Sequence, residues 1–297
     1  MPQVTKSRMR TEKEIFALIL DFAKRTDSIR AVTLEGSRAN PNIKQDKFCD
    51  YDISFFLSLQ NLESFKNNEE WLKIFGNILM LQKPEAMELY PPDLREGWFS
   101  YLMLFDDGVR IDLSLIPLAD IEWYKDNERL MRVLLDKDNQ FMPINEPSDS
   151  AFFIKPLTKQ SFLDCCNEFY WRYVCIHKDI LRGEVLLANA HFAMMREGLL
   201  ILLSWRVALR QNNFAFSLGK EYKFFPHFLE PKERKSLYKC YKLGDLKQAR
   251  KTLKIMEKFF VKNAKDIMNS HFKGEFPTLP YRKEALKYKN ILSSRAQ

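Results

Sequence analysis

Two short stretches carry the residues able to do chemistry. The first, TLEGSRANPNIKQDKFCDYDISFF (Thr33 to Phe56), places Gly36-Ser37 after an apolar run and then returns with Asp50-Tyr51-Asp52 at the head of another. The second, RIDLSLIPL (Arg110 to Leu118), sets Asp112 between Ile111 and Leu113. A pair of carboxylates inside an apolar run costs stability unless a cation neutralises it. Asp50 and Asp52, two residues apart on a strand, leave from the same face. Asp112 falls on the polar face of a later strand that can lie beside them. Three carboxylates on one face can hold one or two Mg²⁺ ions, which take hard oxygen ligands and fill their shell with water and substrate phosphates. Two such ions clamp the attacking and leaving oxygens of an in-line displacement. Gly36 lets backbone amides approach closely, and with the Ser37 hydroxyl they can cradle a phosphate tail.

The elements that must position these residues follow from period and punctuation. Thr11-x-x-Glu14 is a capping box, with Ile15, Leu18, Ile19 and Phe22 behind it at helical spacing. Residues 29–34 read as a strand ended by Gly36-Ser37, and Asn40-Pro41-Asn42 as a loop. Residues 51–59 read as a second strand, 69–76 as a helix and 78–82 as extended. Asp107-Gly108 between two alternating runs signals a hairpin. In its second arm Ile111, Leu113 and Leu115 point one way, and Arg110, Asp112 and Ser114 the other. After about residue 155 the period turns helical. Pro156 and Thr158 open a helix with Phe162, Cys165, Cys166 and Phe169 on one side. A long apolar helix spans 184–209, and two more fall near 231–241 and 245–263. The basic tail from Lys283 reads as frayed. This pattern describes a helical bundle joined to a mixed domain.

Composition narrows the classes. With 297 residues and 46% hydrophobic content, the chain can build about two domains with real cores, which excludes a disordered protein. The net charge of +8 permits a polyanion or triphosphate partner, but the lysines and arginines are scattered. Five cysteines without a Cys-x-x-Cys and four dispersed histidines give no zinc pattern and fit reduced, cytoplasmic thiols. No signal peptide is evident, and the apolar run at 199–203 reads as too short and too charged to span a bilayer. No RNA-binding module or aromatic-basic platform is present in the sequence.

The order Gly-Ser, Asp-x-Asp and a later strand carboxylate resembles the nucleotidyltransferase superfamily that includes DNA polymerase β. Seven words in order, VTLEGSRAN, DYDISFF, LMLFDDG, IDLSLIPL, VLLDKD, DCCNEF and GKEYKF, are similar to the aminoglycoside 6-adenylyltransferases, the streptomycin-modifying enzymes. The similarity runs from about Met9 to about Phe228. The resemblance implies an α+β fold: a polymerase β-like mixed sheet with flanking helices over 1–155, then a helical domain over 156–297 that clamps substrate and nucleotide. It implies Mg²⁺-dependent transfer of AMP from ATP to an aminoglycoside hydroxyl, with pyrophosphate released. Asp50 and Asp52 would bind Mg²⁺, and Gly36, Ser37 and Arg38 would hold the β- and γ-phosphates. Asp112 would ligate metal or take the hydroxyl proton, and Lys220 and Lys223 would reach the triphosphate. Partners would be ATP and a cationic small molecule, without membrane or nucleic acid, in a monomer or homodimer.

A polycationic acceptor needs an acidic pocket. Asp164, Asn167, Glu168 and Trp171 stand at i, i+3, i+4 and i+7 and offer two carboxylates, an amide and an aromatic wall. On residue type alone this stripe reads equally as a solvated helix face, and Lys220 and Lys223 as surface lysines. Cys165-Cys166 reads as core packing. One departure stands out: the family pattern has an Asp-His pair in the long helix, where this chain has Asn189-Ala190-His191. An acceptor other than an aminoglycoside, an RNA end or a protein, is the alternative within the same fold; a non-catalytic scaffold is disfavoured by the intact acids.

Overall fold

The computed structural model describes residues 8–143 and 146–295. The chain divides into two units, 1–151 and 152–297.

The first unit is a six-stranded mixed sheet with helices. Helix α1 (Glu12–Arg25) starts at the Thr11 capping box and buries Ile15, Ile19 and Ala23. Strand β1 (Ala31–Glu35) runs straight into the one-turn helix α2 (Gly36–Ala39). Strand β2 (Tyr51–Leu57) and helix α3 (Leu59–Asn67) follow. Next come β3 (Ile78–Gln82), β4 (Phe99–Phe105), β5 (Arg110–Pro117), α4 (Ile121–Asn127) and β6 (Met131–Asp136). The strand order is β3-β4-β5-β2-β1-β6. Only β2 and β5 pair in parallel; the other neighbours are antiparallel. Residues 69–75, expected to be helical, form a 3-10 helix closed by Gly76 at φ 126°.

Alternation gives the sheet two unlike faces. Val32, Leu34, Ile53, Phe55, Leu113 and Leu115 pack into one core with Ile15 and Ile19 of α1. Ala31, Phe56, Ile116, Tyr124 and Phe141 form a smaller core on the other side. Beyond that smaller core the second face turns polar, with Thr33, Ser54, Ser114 and Ser100 aligned in a row across β1, β2, β5 and β4. The expected hairpin at Asp107-Gly108 joins β4 to β5, with Gly108 at φ 83°. Arg10 fixes that turn: its Nε donates to Asp107 at 2.6 Å and its guanidinium lies over the Phe105 ring.

The second unit is helical. Helix α5 (Lys159–Arg182) is capped by Thr158 and ends at Gly183, whose φ of 78° a side chain would disfavour. It forms a hairpin with α6 (Val185–Gln211), and α7 (Pro231–Lys239) and α8 (Leu246–Ser270) complete the core. Phe169 and Phe260 stack at 3.7 Å between ring centres. Cys165 and Cys166 are buried as expected, and burial pushes the Cys165 thiol up to about 12. The run at 199–203, expected to be too short and too charged to span a bilayer, belongs to α6, which as a whole is long and apolar enough to cross a membrane. Its Phe192, Leu199, Leu202 and Leu203 are buried in the core of this unit. The tail expected to fray is helix α9 (Arg282–Arg295), packed on α5 through Ala285 and held by an Arg282–Glu257 bond of 2.8 Å.

Truncating Phe260 to Ala removes one ring of the stack from the middle of the helical core. The variant should lose about 3–5 kcal/mol of stability. A urea titration followed by circular dichroism checks it, and an unchanged midpoint would show that the stack contributes little.

Candidate active site

The acids meet because β2 and β5 run in parallel register. Asp52 is the direct partner of Asp112, and Glu35 on β1 is the direct partner of Asp52. Three adjacent strands therefore present a row of carboxyl groups on the face opposite α1, with Asp50 two residues before Asp52. The start of α2 abuts this row. A Cβ on Gly36 would come within 2.4 Å of an Asp52 carboxylate oxygen, and Gly36 has φ 65°. A side chain there would be strained by the positive φ and would have to push the Asp52 carboxylate aside. Ser37 follows in the same turn.

A cation already sits among these acids. The Arg110 guanidinium donates to both oxygens of Asp112, at 2.8 and 2.6 Å, and lies 3.5 Å from Asp50. The bond to Asp112 holds the guanidinium above its ordinary pKa, and Asp50 and Asp52 add to the effect. Burial pushes Asp50 up, Arg110 pulls it back, and Asp112 raises it again. Hard carboxylate oxygens that already draw in a positive group are a donor set suited to a divalent cation. Among the described residues no three His, Cys, Asp or Glu side chains already close around a common point. The Asp112 carboxylate is turned onto Arg110 instead.

Arg38, expected to contact phosphate, lines the edge of this site and also bonds to the chain itself. It is buried, with Nε donating to the Asp50 carbonyl at 3.0 Å and Nη2 to the Cys49 carbonyl at 2.8 Å. Its guanidinium stacks on the Tyr51 ring at 3.8 Å. These contacts brace the backbone that aims Asp50. A cavity of about 370 Å³ opens beside it, lined by Arg38, Lys47, Asp50 and Arg110 among others.

The Glu35 carboxyl receives hydrogen bonds from the Thr33 and Tyr124 hydroxyls. Burial raises it from 4.5 to about 7 against those donors. It is thus largely neutral below neutrality, which spares Asp52 a second charged neighbour.

In the second unit, Asp164 and Glu168 line a cavity of about 1090 Å³ together with Glu197, Trp205, Lys220, Glu221 and Tyr222. The Tyr222 hydroxyl donates to Glu197 at 2.8 Å. Glu221 and Tyr222 both have positive φ, 53° and 58°, just after Gly219. The predicted stripe on α5 is split. Glu168 pairs with Arg172 at 2.5 Å, while Asn167 and Trp171 line a separate groove beside Tyr281 and Tyr288 of the 281–288 segment. Lys223 places its ammonium over the Phe224 ring. His191 pairs with an acid of the neighbouring helix: Asp179 of α5, fully buried, meets His191 Nδ1 at 2.7 Å. Glu35, Arg110, Glu197 and Asp179 were not singled out by sequence. Arg110 alone left a signal, since it alternates onto the same strand face as Asp112.

A glycine turn seated against an aspartate ladder on a mixed sheet defines a nucleotidyltransferase platform. The chain belongs to the streptomycin adenylyltransferase family, whose model matches residues 9–289. It is 43% identical over 261 residues to an aminoglycoside 6-adenylyltransferase of Bacillus subtilis, covering 87% of this chain and 90% of that one. Proteins of the same name from Staphylococcus aureus and Campylobacter jejuni are 41% and 44% identical, covering 85% and 79% of this chain and 89% and 80% of theirs. A crystal structure of an aminoglycoside 6-adenyltransferase from Bacillus subtilis aligns with TM-score 0.46 at 37% identity, over 96% of this chain and 99% of that one.

Glu35 carries a pH signature. Its raised pKa means the folded state keeps a proton that the unfolded chain has lost, so its stabilising contribution is complete below about pH 4 and is lost as pH rises through about 7. The melting temperature should fall between pH 5 and 8, and fall less in Glu35→Gln; identical profiles by differential scanning fluorimetry would contradict the neutral carboxyl.

Proposed function

We propose that the protein transfers AMP from Mg-ATP to a hydroxyl of an aminoglycoside such as streptomycin and releases pyrophosphate. The observation that carries this reading is the direct pairing of Asp52 with Asp112 beside the Gly36 turn. Asp50, Asp52 and Asp112 are the carboxylates that would hold Mg²⁺. When bound, that ion neutralises phosphate charge and lowers the pKa of a coordinated hydroxyl. The acceptor oxygen attacks the α-phosphorus, the bond from that phosphorus to the β-phosphate oxygen breaks, and its electron pair leaves with pyrophosphate. Asp112 takes the hydroxyl proton. Gly36 and Ser37 receive the phosphate tail, Arg38 keeps Asp50 aimed, and Lys220 and Lys223 are assigned to the triphosphate as point charges.

The acceptor reading rests on charge. Asp164, Glu168, Glu197 and Glu221 face one cavity of the second unit, against Lys155 and Lys220. That excess of carboxylates suits a polyamine-like sugar, and Trp205 offers it an aromatic wall. Asn167 and Trp171, on the far edge of α5, lie outside that cavity and drop out of the proposed acceptor set.

Incubation with α-labelled ATP, Mg²⁺ and a panel of aminoglycosides tests the reaction. Label on the aminoglycoside is expected; label only on RNA or protein would replace the acceptor, and no label on any of them would overturn the reading. Asp112→Asn should lower kcat by about a hundredfold or more with the circular dichroism spectrum unchanged. Glu197→Gln should raise the aminoglycoside KM about tenfold while the ATP KM stays put, since it removes one charge from the acceptor cavity alone. A shift in the ATP KM instead would move Glu197 out of the acceptor set.

A further inference from the structure

The carboxylate row is electrostatically incomplete without a cation, and in this structure the chain supplies its own. Arg110 takes both Asp112 oxygens in a fork, the geometry that makes arginine-carboxylate pairs strong. It also stands 3.5 Å from Asp50. It lies two residues before Asp112 on the same strand, so the pairing of β5 with β2 and β4 sets both side chains on one face. While it holds, Asp112 faces a guanidinium and the acids do not close around one point.

We propose that Arg110 is a resident counter-ion of the active site, which holds Asp112 while the site is empty and must release it before a divalent cation can use the three acids. The inference rests on the reading of Asp50, Asp52 and Asp112 as metal ligands.

Two features make the exchange reasonable physically. Arg110 is about two-fifths exposed and borders the 370 Å³ cavity, so its side chain has open space to turn into. A nucleotide triphosphate also offers the fork an alternative anion of matching geometry. The released guanidinium then binds phosphate, and the freed Asp112 regains the orientation that a ligand or base requires. Metal binding and nucleotide binding become coupled through one side chain: the cation alone must displace Arg110 from its carboxylates, whereas the nucleotide draws it off. Such coupling is reciprocal, so Mg²⁺ or Mn²⁺ tightens ATP by the same factor by which ATP tightens the metal. It also gives the empty enzyme a reason to be stable, because its clustered carboxylates are never left without a positive neighbour.

The test is Mn²⁺ binding to the nucleotide-free protein, followed by electron paramagnetic resonance. Arg110→Gln should bind Mn²⁺ about tenfold more tightly than wild type, because the cation no longer competes with a fixed positive charge a few ångströms away. Added ATP should tighten Mn²⁺ strongly in wild type and much less in the variant. Arg110→Lys serves if the glutamine variant does not fold. It keeps the charge but not the fork onto both oxygens, and should bind Mn²⁺ a few-fold more tightly than wild type. Equal Mn²⁺ affinity in wild type and in whichever variant folds would overturn the proposal. Asp50→Asn and Asp112→Asn are the control for the underlying reading: if these bind Mn²⁺ as wild type does, the ligand assignment fails, whatever Arg110 does.

Discussion

The parallel pairing of β2 with β5 is the constraint on which the rest of the first unit depends. It sets Asp52 directly against Asp112, two like charges at the separation of neighbouring strands. Opposed like charges on a sheet are destabilising, so the arrangement persists only where something compensates. Here the apolar faces of the same two strands, Ile53 and Phe55 with Leu113 and Leu115, are buried on α1, and a slip of one residue would turn them to solvent and the acids inward. Burial on one face thus fixes the register that the other face would resist.

The neighbours of the pair each relieve a different part of that cost. Arg110 supplies positive charge. Gly36 removes the side chain that would collide with Asp52. Arg38, buried and stacked on Tyr51, holds the carbonyls of Cys49 and Asp50 and so fixes where the first acid points. Glu35 completes the row and yet stays largely uncharged below neutrality, because burial outweighs its hydroxyl donors. A row of carboxyl groups is stable as a mixture of ionised, paired and protonated members, where a row of free carboxylates would not be.

The second unit handles charge in another way. Its acids are drawn from α5, α6 and the 219–222 turn into one cavity, with Gln160 donating to Asp164, Arg172 to Glu168 and Tyr222 to Glu197. Left-handed backbone at Glu221 and Tyr222 is strain of the kind that a fold keeps where side chains must be aimed. The hairpin of α5 and α6 also sets Asp179 of one helix against His191 of the other, a buried acid given a polar partner across the pair.

Much of this was legible in the sequence. The Thr11 box, the Asp107-Gly108 turn, the alternation around Asp112 and the helical period after residue 155 are local signals, set by capping, turn chemistry and side-chain direction, and local forces suffice to form them. The sequence by itself determined that Asp52 and Asp112 lie on polar strand faces next to a glycine turn, whereas Asp50, expected on the same strand as Asp52, falls just before β2. Only the tertiary structure decided that Arg38 bonds to the Cys49 and Asp50 carbonyls and stacks on Tyr51, that the tail from Lys283 is part of a packed helix, and that the α5 stripe divides between two cavities. The reason is common to all three. A side chain's partner is chosen by what packs against it from distant elements, and neither spacing nor residue type records which neighbour that will be.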